Sequence, residues 1–489
     1  MKKIISLPEF IMIALTILFC IYGTGFAERI TVNGGGGWDG SGYVYYAREL
    51  PRLLEEKEVD TYYLARFFPS VAVRGIMEVY SFVSGTAIKD ISKAHVINMF
   101  AIWAALCLIG SVVLMLNLFK EQQTCVRWWV WGLFLCNFYI LKMTFFYPTL
   151  TDTTACFLAC LMLWGYKKNV AVVFWLACVL GYFTHPLLFY SGVVLWIFKK
   201  EEFKNVTVVP SVRWNVIITA VVLTGLLVKF ILVIQNRPFH VREATALLLP
   251  LSIVLALVYI AYVVYFSNPY AKIQLMLKAV LVKRLVLTLL AWALLALLLR
   301  FFATATPGLN YREFLHYMIY DAISDPLIFL VSHVVYFGLG VLLLILFFSD
   351  VRKKLAQEGL GLQLVFWGSL LFAINSESRQ LVIFWPMMVY LLADIVAEKL
   401  TNNKFLCISG VFLALAWSRF WLILQPSSYE GELEIYTFPQ QLYFMHQGPW
   451  MTHQMYLIHL LLILLITGLL YLLWKFLPST VQRNQDSSY

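Results

Sequence analysis

FIMIALTILFCIYGTGFA, residues 10–27, is the stretch whose reading decides the fold. Met1-Lys-Lys ahead of it gives it the outline of a secretory signal, but no small-x-small cleavage site follows. Its length suits a crossing of about 30 Å of hydrocarbon, and Glu9 at its leading edge can stay hydrated. The segment therefore reads as a retained first span, which puts the residues after it outside the cytoplasm.

Working outward, similar runs recur to the end of the 489 residues, of which 61% are apolar and 13% charged. A mean hydropathy of +0.78 lies well beyond that of a water-soluble domain. Spans are expected near 10–27, 94–119, 127–145, 153–166, 169–183, 187–198, 212–234, 244–266, 285–303, 324–348, 361–375, 380–396, 405–425 and 454–475. The fold class is an all-α polytopic membrane protein with about 11–14 transmembrane helices. Several segments within 153–198 are short enough to be tilted or re-entrant.

The net charge of +10 is dispersed in small clusters, Lys167-Lys168, Lys199-Lys200, Lys283-Arg284 and Arg352-Lys353-Lys354. With Lys2 and Lys3 inside, this span order puts all of them on the cytoplasmic side, the positive-inside pattern. Lys142, Lys229 and Arg300 are exceptions near outer span ends. A nucleic-acid partner would call for a continuous basic block, and none exists; membrane lipids are the partner implied. The eight cysteines have no C-x-x-C spacing and read as small packing residues.

One membrane domain covers 1–475, followed by a short cytoplasmic tail, 476–489. A long extracytoplasmic loop, 28–93, follows the first span, and 426–453 forms the last outer loop. Leu50, Leu53 and Leu54 lie on one face of an expected amphipathic helix over 47–59. Residues 67–85 read as a second helix on or dipping into the membrane. Such a loop can roof a cavity shared by a lipid-borne and a soluble substrate.

The chemistry-bearing residues gather on the outer side. GGGGWDGSG, residues 34–42, carries Asp39, either a general base or the acid of an Asx turn. Trp38, Tyr43 and Tyr46 beside it suit stacking on a sugar or lining a lipid entrance. FYPTLTD, residues 146–152, ends on Asp152, a helix cap or a second site acid. Arg66 in YYLARFFP (62–69), Arg74, and Arg379 in NSESRQ (375–380) are candidate phosphate ligands through their planar guanidinium groups. Glu377 is placed to orient Arg379. His185 in GYFTHP (181–186) and His316 are candidate pocket residues; His333 reads as a packed histidine. No H-E-x-x-H, P-loop or dinucleotide fingerprint is present, so no metal site or nucleotide cofactor is expected.

Gly37-Trp-Asp39-Gly40 with its tyrosines, followed by Arg66-Phe-Phe-Pro69, resembles the first outer loop of polytopic glycosyltransferases with the GT-C fold. FYPTLTD is similar to their second acidic motif, and Glu377-Ser-Arg379 ahead of Pro386 resembles a late outer-loop motif of bacterial members. The chain departs from members with a large soluble C-terminal domain and looks like a compact form. The resemblance implies a GT-C-like bundle in a bacterial inner membrane with an extracytoplasmic active site. Asp39 would deprotonate an acceptor hydroxyl, and arginines would hold the phosphate of a polyprenyl-phosphate-sugar donor. Asp152 would position the acceptor. The acceptor would be a cell-envelope glycan or lipid, and the work of a donor synthase and a flippase would come upstream. Some relatives use Mg or Mn; no complete ligand set is legible here. Two competing readings are a polysaccharide polymerase or ligase, with its catalytic loop later in the chain, and a transporter, expected to carry paired repeats and helices broken near the midplane.

Overall fold

A computed structural model describes residues 6–198, 211–236, 247–279, 282–303, 318–320, 322–400, 404–424, 451 and 453–476. His316 and most of the expected outer loop 426–453 lie outside the described residues. The regular secondary structure of the described residues is all helical, apart from an isolated bridge between Val59 and Ala303.

The first span is helix α1 (Leu7–Gly25), at whose start Ser6 N–H and Oγ–H both donate to Glu9 Oε2, at 2.8 and 2.9 Å. Glu9 is not left to water, as the sequence suggested. It is buried and paired with Arg127 at 2.7 Å, because α5 (Thr124–Leu135) packs on α1 there. The long loop holds α2 (Asp39–Glu55), a single turn at Thr61–Leu64, and α3 (Phe68–Ser84). The first of these starts at Asp39 and stops at Glu55, so the amphipathic helix begins earlier and ends sooner than the expected 47–59. Tyr43, Ala47, Leu50 and Leu53 form its buried stripe. Val73 and Met77 of α3 are buried against α2 and α4 (Lys93–Leu118), while Val79, Phe82 and Val83 stay exposed, a face suited to lipid rather than water.

The remaining helices are α4 (Lys93–Leu118), α6 (Asp152–Lys168), α7 (Ala171–Tyr182), α8 (Leu187–Ile197), α9 (Val212–Asn236), α10 (Leu249–Phe266), α11 (Pro269–Ala279) and α12 (Val282–Phe302). They continue as α13 (Ile328–Phe337), α14 (Leu339–Leu346), α15 (Phe348–Ala356), α16 (Leu360–Phe372), α17 (Trp385–Leu400), α18 (Lys404–Ser418) and α19 (His453–Phe476). Among the described residues seven helical segments are long and apolar enough to cross a membrane, or up to nine if two bent pairs each count as one span. The remaining expected spans fall on shorter helices. At 1.5 Å per residue, α7 and α8 reach roughly 15–20 Å, short of the hydrocarbon thickness.

The centre of the bundle is set by burial. The Ser378–Lys399 segment is 78% buried, whereas α12 is 11% buried and offers its leucines to lipid. α4, α5 and α6 pack around that centre, with α17 against α5 and the turn Ser378–Phe384 against α6. Lys142, an exception to the charge pattern, is neutralised locally by Glu28 at 2.6 Å. The seven described cysteines are free thiols.

Candidate functional site at the mouth of the bundle

The glycine run is built for contact rather than looseness. Gly37 has φ +68°, and a Cβ there would lie 2.2 Å from the Tyr147 ring. A Cβ on Gly40 would lie 1.9 Å from Thr149 Oγ1. Only glycine lets this turn sit so close. Gly40 N–H donates to the Tyr147 hydroxyl at 3.2 Å, Thr149 Oγ–H donates to the Gly36 carbonyl at 3.1 Å, and Trp38 packs edge-on to Tyr147. The two acidic segments, more than a hundred residues apart, are thus joined.

Asp39 occupies the first turn of α2, where a negative charge complements the helix dipole. Its carboxylate closes no Asx turn; the Ser41 N–H donates to the Trp38 carbonyl instead. Asp39 Oδ2 receives Tyr62 Oη–H and Arg379 Nη2–H, each at 3.2 Å. Oδ1 receives no hydrogen bond among the described residues. Burial raises the Tyr62 phenol, which keeps it a donor.

Arg379 also donates through Nε to Glu377, forming a three-membered acid–base–acid chain. The turn is held by Glu377 N–H donating to Asn375 Oδ1 at 3.0 Å, and by His333, whose ring nitrogens bond Ser378 Oγ and the Ala373 carbonyl at 3.0 and 2.7 Å. His333 therefore braces the turn that carries Arg379. Arg66 stacks over Tyr62 at 4.0 Å, and its guanidinium donates no hydrogen bond among the described residues.

Asp152 heads α6, 8% exposed and without an ion pair among the described residues. Thr151 is the N-cap, and its side chain makes no capping bond. Burial pushes the Asp152 carboxyl up to about 7; Arg379 opposes the rise, Glu377 and Asp39 add to it, and Arg66 opposes it. These five charged groups share one field. His185, held down to about 3 by burial and then by Arg66, is neutral and bonds Gln380 through Nε2 at 3.2 Å. Its Nδ1 and the Asn375 amide nitrogen are buried polar atoms without partners among the described residues, an acceptor and a donor left for something else.

The structure thus brings Asp39, Asp152, Arg66, Arg379, Glu377, Trp38 and His185 to one place. It does not bring Arg74, which is committed to Glu78 at 3.0 Å and to the Arg48 carbonyl at 2.6 Å. Tyr43 and Tyr46 are buried on the core face of α2 instead of offering rings to a sugar, because they continue the stripe of Leu50 and Leu53. Tyr62, Tyr147 and Gln380 were missed. All three lie inside the motifs YYLARFFP, FYPTLTD and NSESRQ, but nothing in their spacing announces a contact with the Gly37–Gly40 turn, Asp39 or His185. Among the described residues no three His, Cys, Asp or Glu side chains gather as a metal-ligand set. Compared with known proteins, the chain matches no family model, no curated protein and no solved structure.

Proposed function

We propose that this site transfers a sugar, with inversion, from a polyprenyl-phosphate donor to a hydroxyl of a cell-envelope glycan or lipid. The observation that carries the reading is the division of labour on Asp39. One carboxylate oxygen is fixed by Tyr62 and Arg379, and the other is open to accept a proton. In the step proposed, Asp39 Oδ1 takes the acceptor's proton, the acceptor oxygen bonds the anomeric carbon, and the bond from that carbon to the phosphate oxygen breaks. The departing phosphate keeps the electron pair and needs cations rather than a proton donor. Arg66 is the cation with spare donors, and Arg379 can share its own. A single base suffices, unlike the carboxylate pair of a glycosidase.

Purified protein offered a panel of polyprenyl-phosphate sugars should release polyprenyl phosphate and extend a hydroxyl acceptor. A second reading, transport, draws on the 120° break between α13 and α14 at Gly338, the kind of interruption that transporters place in their sites. Proteoliposomes separate the two: movement of a labelled lipid or solute across the bilayer without bond formation would favour transport and end the transferase reading.

The reading also predicts a pH dependence. A carboxyl raised from 3.8 to about 7 is favoured as the neutral acid in the fold. Its contribution to stability is complete below about pH 4 and is lost as pH rises through about 7. Above that pH a third negative charge joins Asp39 and Glu377 and repels an anionic donor. The donor KM of the wild type should therefore climb above pH 7, and that of Asp152→Asn should stay flat. A climb of equal size in the variant would remove Asp152 from the site.

A further inference from the structure

A cavity of about 310 Å³ lies far from Asp39 in sequence, between α10, α13, α14, α16 and α17. Tyr262, Leu344, Phe348, Leu370 and Met388 are among its walls, which are apolar apart from His333 and Ser369. The volume falls at the lower end of ligand pockets, roughly 300–1,000 Å³. At one end, Tyr262 packs on Phe266 at 4.5 Å and Phe348 on Trp367 at 6.0 Å. Over these two outer rings stand two cations: Arg352 is 4.5 Å from the Phe266 centroid, and Lys272 is 5.8 Å from that of Trp367.

The pairing pattern singles these two out. Their neighbours are matched with acids: Lys353 and Lys399 with Asp350, Lys354 with Asp394, and Lys167 with Glu358. Among the described residues neither Lys272 nor Arg352 has a carboxylate within ion-pair reach. Lys272 is fixed by donating to the Ser267 carbonyl. Burial, with Arg352 close by, holds its ammonium down at about 8. Two half-buried like charges without a counter-ion repel each other unless an anion sits between them. Arg352 belongs to the cluster Arg352-Lys353-Lys354, which positive-inside patterning places at the cytoplasmic headgroups.

We propose that Lys272, Arg352 and the apolar cavity form a binding site for an anionic phospholipid, its phosphate between the two cations and one acyl chain in the cavity. The two cations lie apart from the Asp39 cluster, although His333 and the turn Ser378–Phe384 line the cavity too, and the proposal does not rest on sugar transfer. Detergent-purified full-length protein, titrated with phosphatidylglycerol or phosphatidylcholine and read by native mass spectrometry, tests it. Wild type should retain phosphatidylglycerol selectively. Lys272→Gln with Arg352→Gln should lower that selectivity about ten-fold or more, from the loss of two headgroup contacts. Lys353→Gln, exposed and already paired with Asp350, should keep it. Leu344→Trp, which fills the cavity, should weaken retention whatever the headgroup. If the double variant does not fold, Arg352→Gln alone and a salt titration of wild type replace it; selectivity should fall in both. Equal retention of the two lipids by wild type, or undiminished selectivity without the two cations, would overturn the proposal.

Discussion

Asp39→Asn should lower sugar transfer by about 10²–10⁴-fold, the usual share of a positioned general base. Asparagine has nearly the same shape, so α2 should still start at residue 39 and the turn should still seat on Tyr147 and Thr149. What disappears is an oxygen able to take a proton from the acceptor. Tyr62 and Arg379 can still donate to the amide oxygen, though without the charge that strengthens both bonds. With Asp39 about a third exposed, the stability lost should be only about 1–2 kcal/mol. The measurement is single-turnover transfer at saturating donor, alongside thermal unfolding in detergent. Unchanged transfer by a folded variant would remove Asp39 as the base, and unfolding of the variant would make its role structural.

Arg379→Ala should be the more damaging change to the fold. Its guanidinium stands between Asp39 and Glu377, with Asp152 in the same field. Removing it takes the Arg379 charge away from Glu377, 11% exposed at its side chain. Breaking a buried pair from one side costs about 3–5 kcal/mol; Arg379 keeps roughly a quarter of its side chain exposed, so about 3 kcal/mol is expected. Arg379→Lys keeps the charge but not the fork that spans two acids, and should lie between wild type and alanine. On activity, the alanine variant should raise the donor KM more than it lowers kcat, as expected for lost phosphate binding. A thermal shift near zero would mean the acids find water or another cation. An unchanged donor KM would end the phosphate role.

Several elements of this site were legible in the residues. Asp39 stood out in its glycine-rich turn and Arg66 in the long outer loop, while Asp152 and Arg379 stood at the ends of apolar runs, where a lone charge needs a partner or a task. The structure gathers all four. Arg74 was equally conspicuous, but a one-turn spacing to Glu78 supplied a local partner. Tyr43 and Tyr46 followed the helical stripe of α2 into the core. The Asx turn once open for Asp39 did not form, because the backbone closed the turn by itself.

The sequence by itself determined that the chain is a polytopic helical membrane protein, since apolar runs of this length must satisfy their backbone internally within lipid. It also determined where most helices lie, because span-length hydropathy is a local property. The partners were decided only by tertiary structure. Gly37 and Gly40 look like flexibility until Tyr147 and Thr149 press on them. Glu9 looks hydrated until α5 brings Arg127. Asp39 stands open between base and Asx acid until Tyr62 and Arg379, one of them 340 residues away, converge on a single oxygen and leave the other without a partner among the described residues. Hydropathy acts along the chain, whereas an ion pair depends on which helices meet.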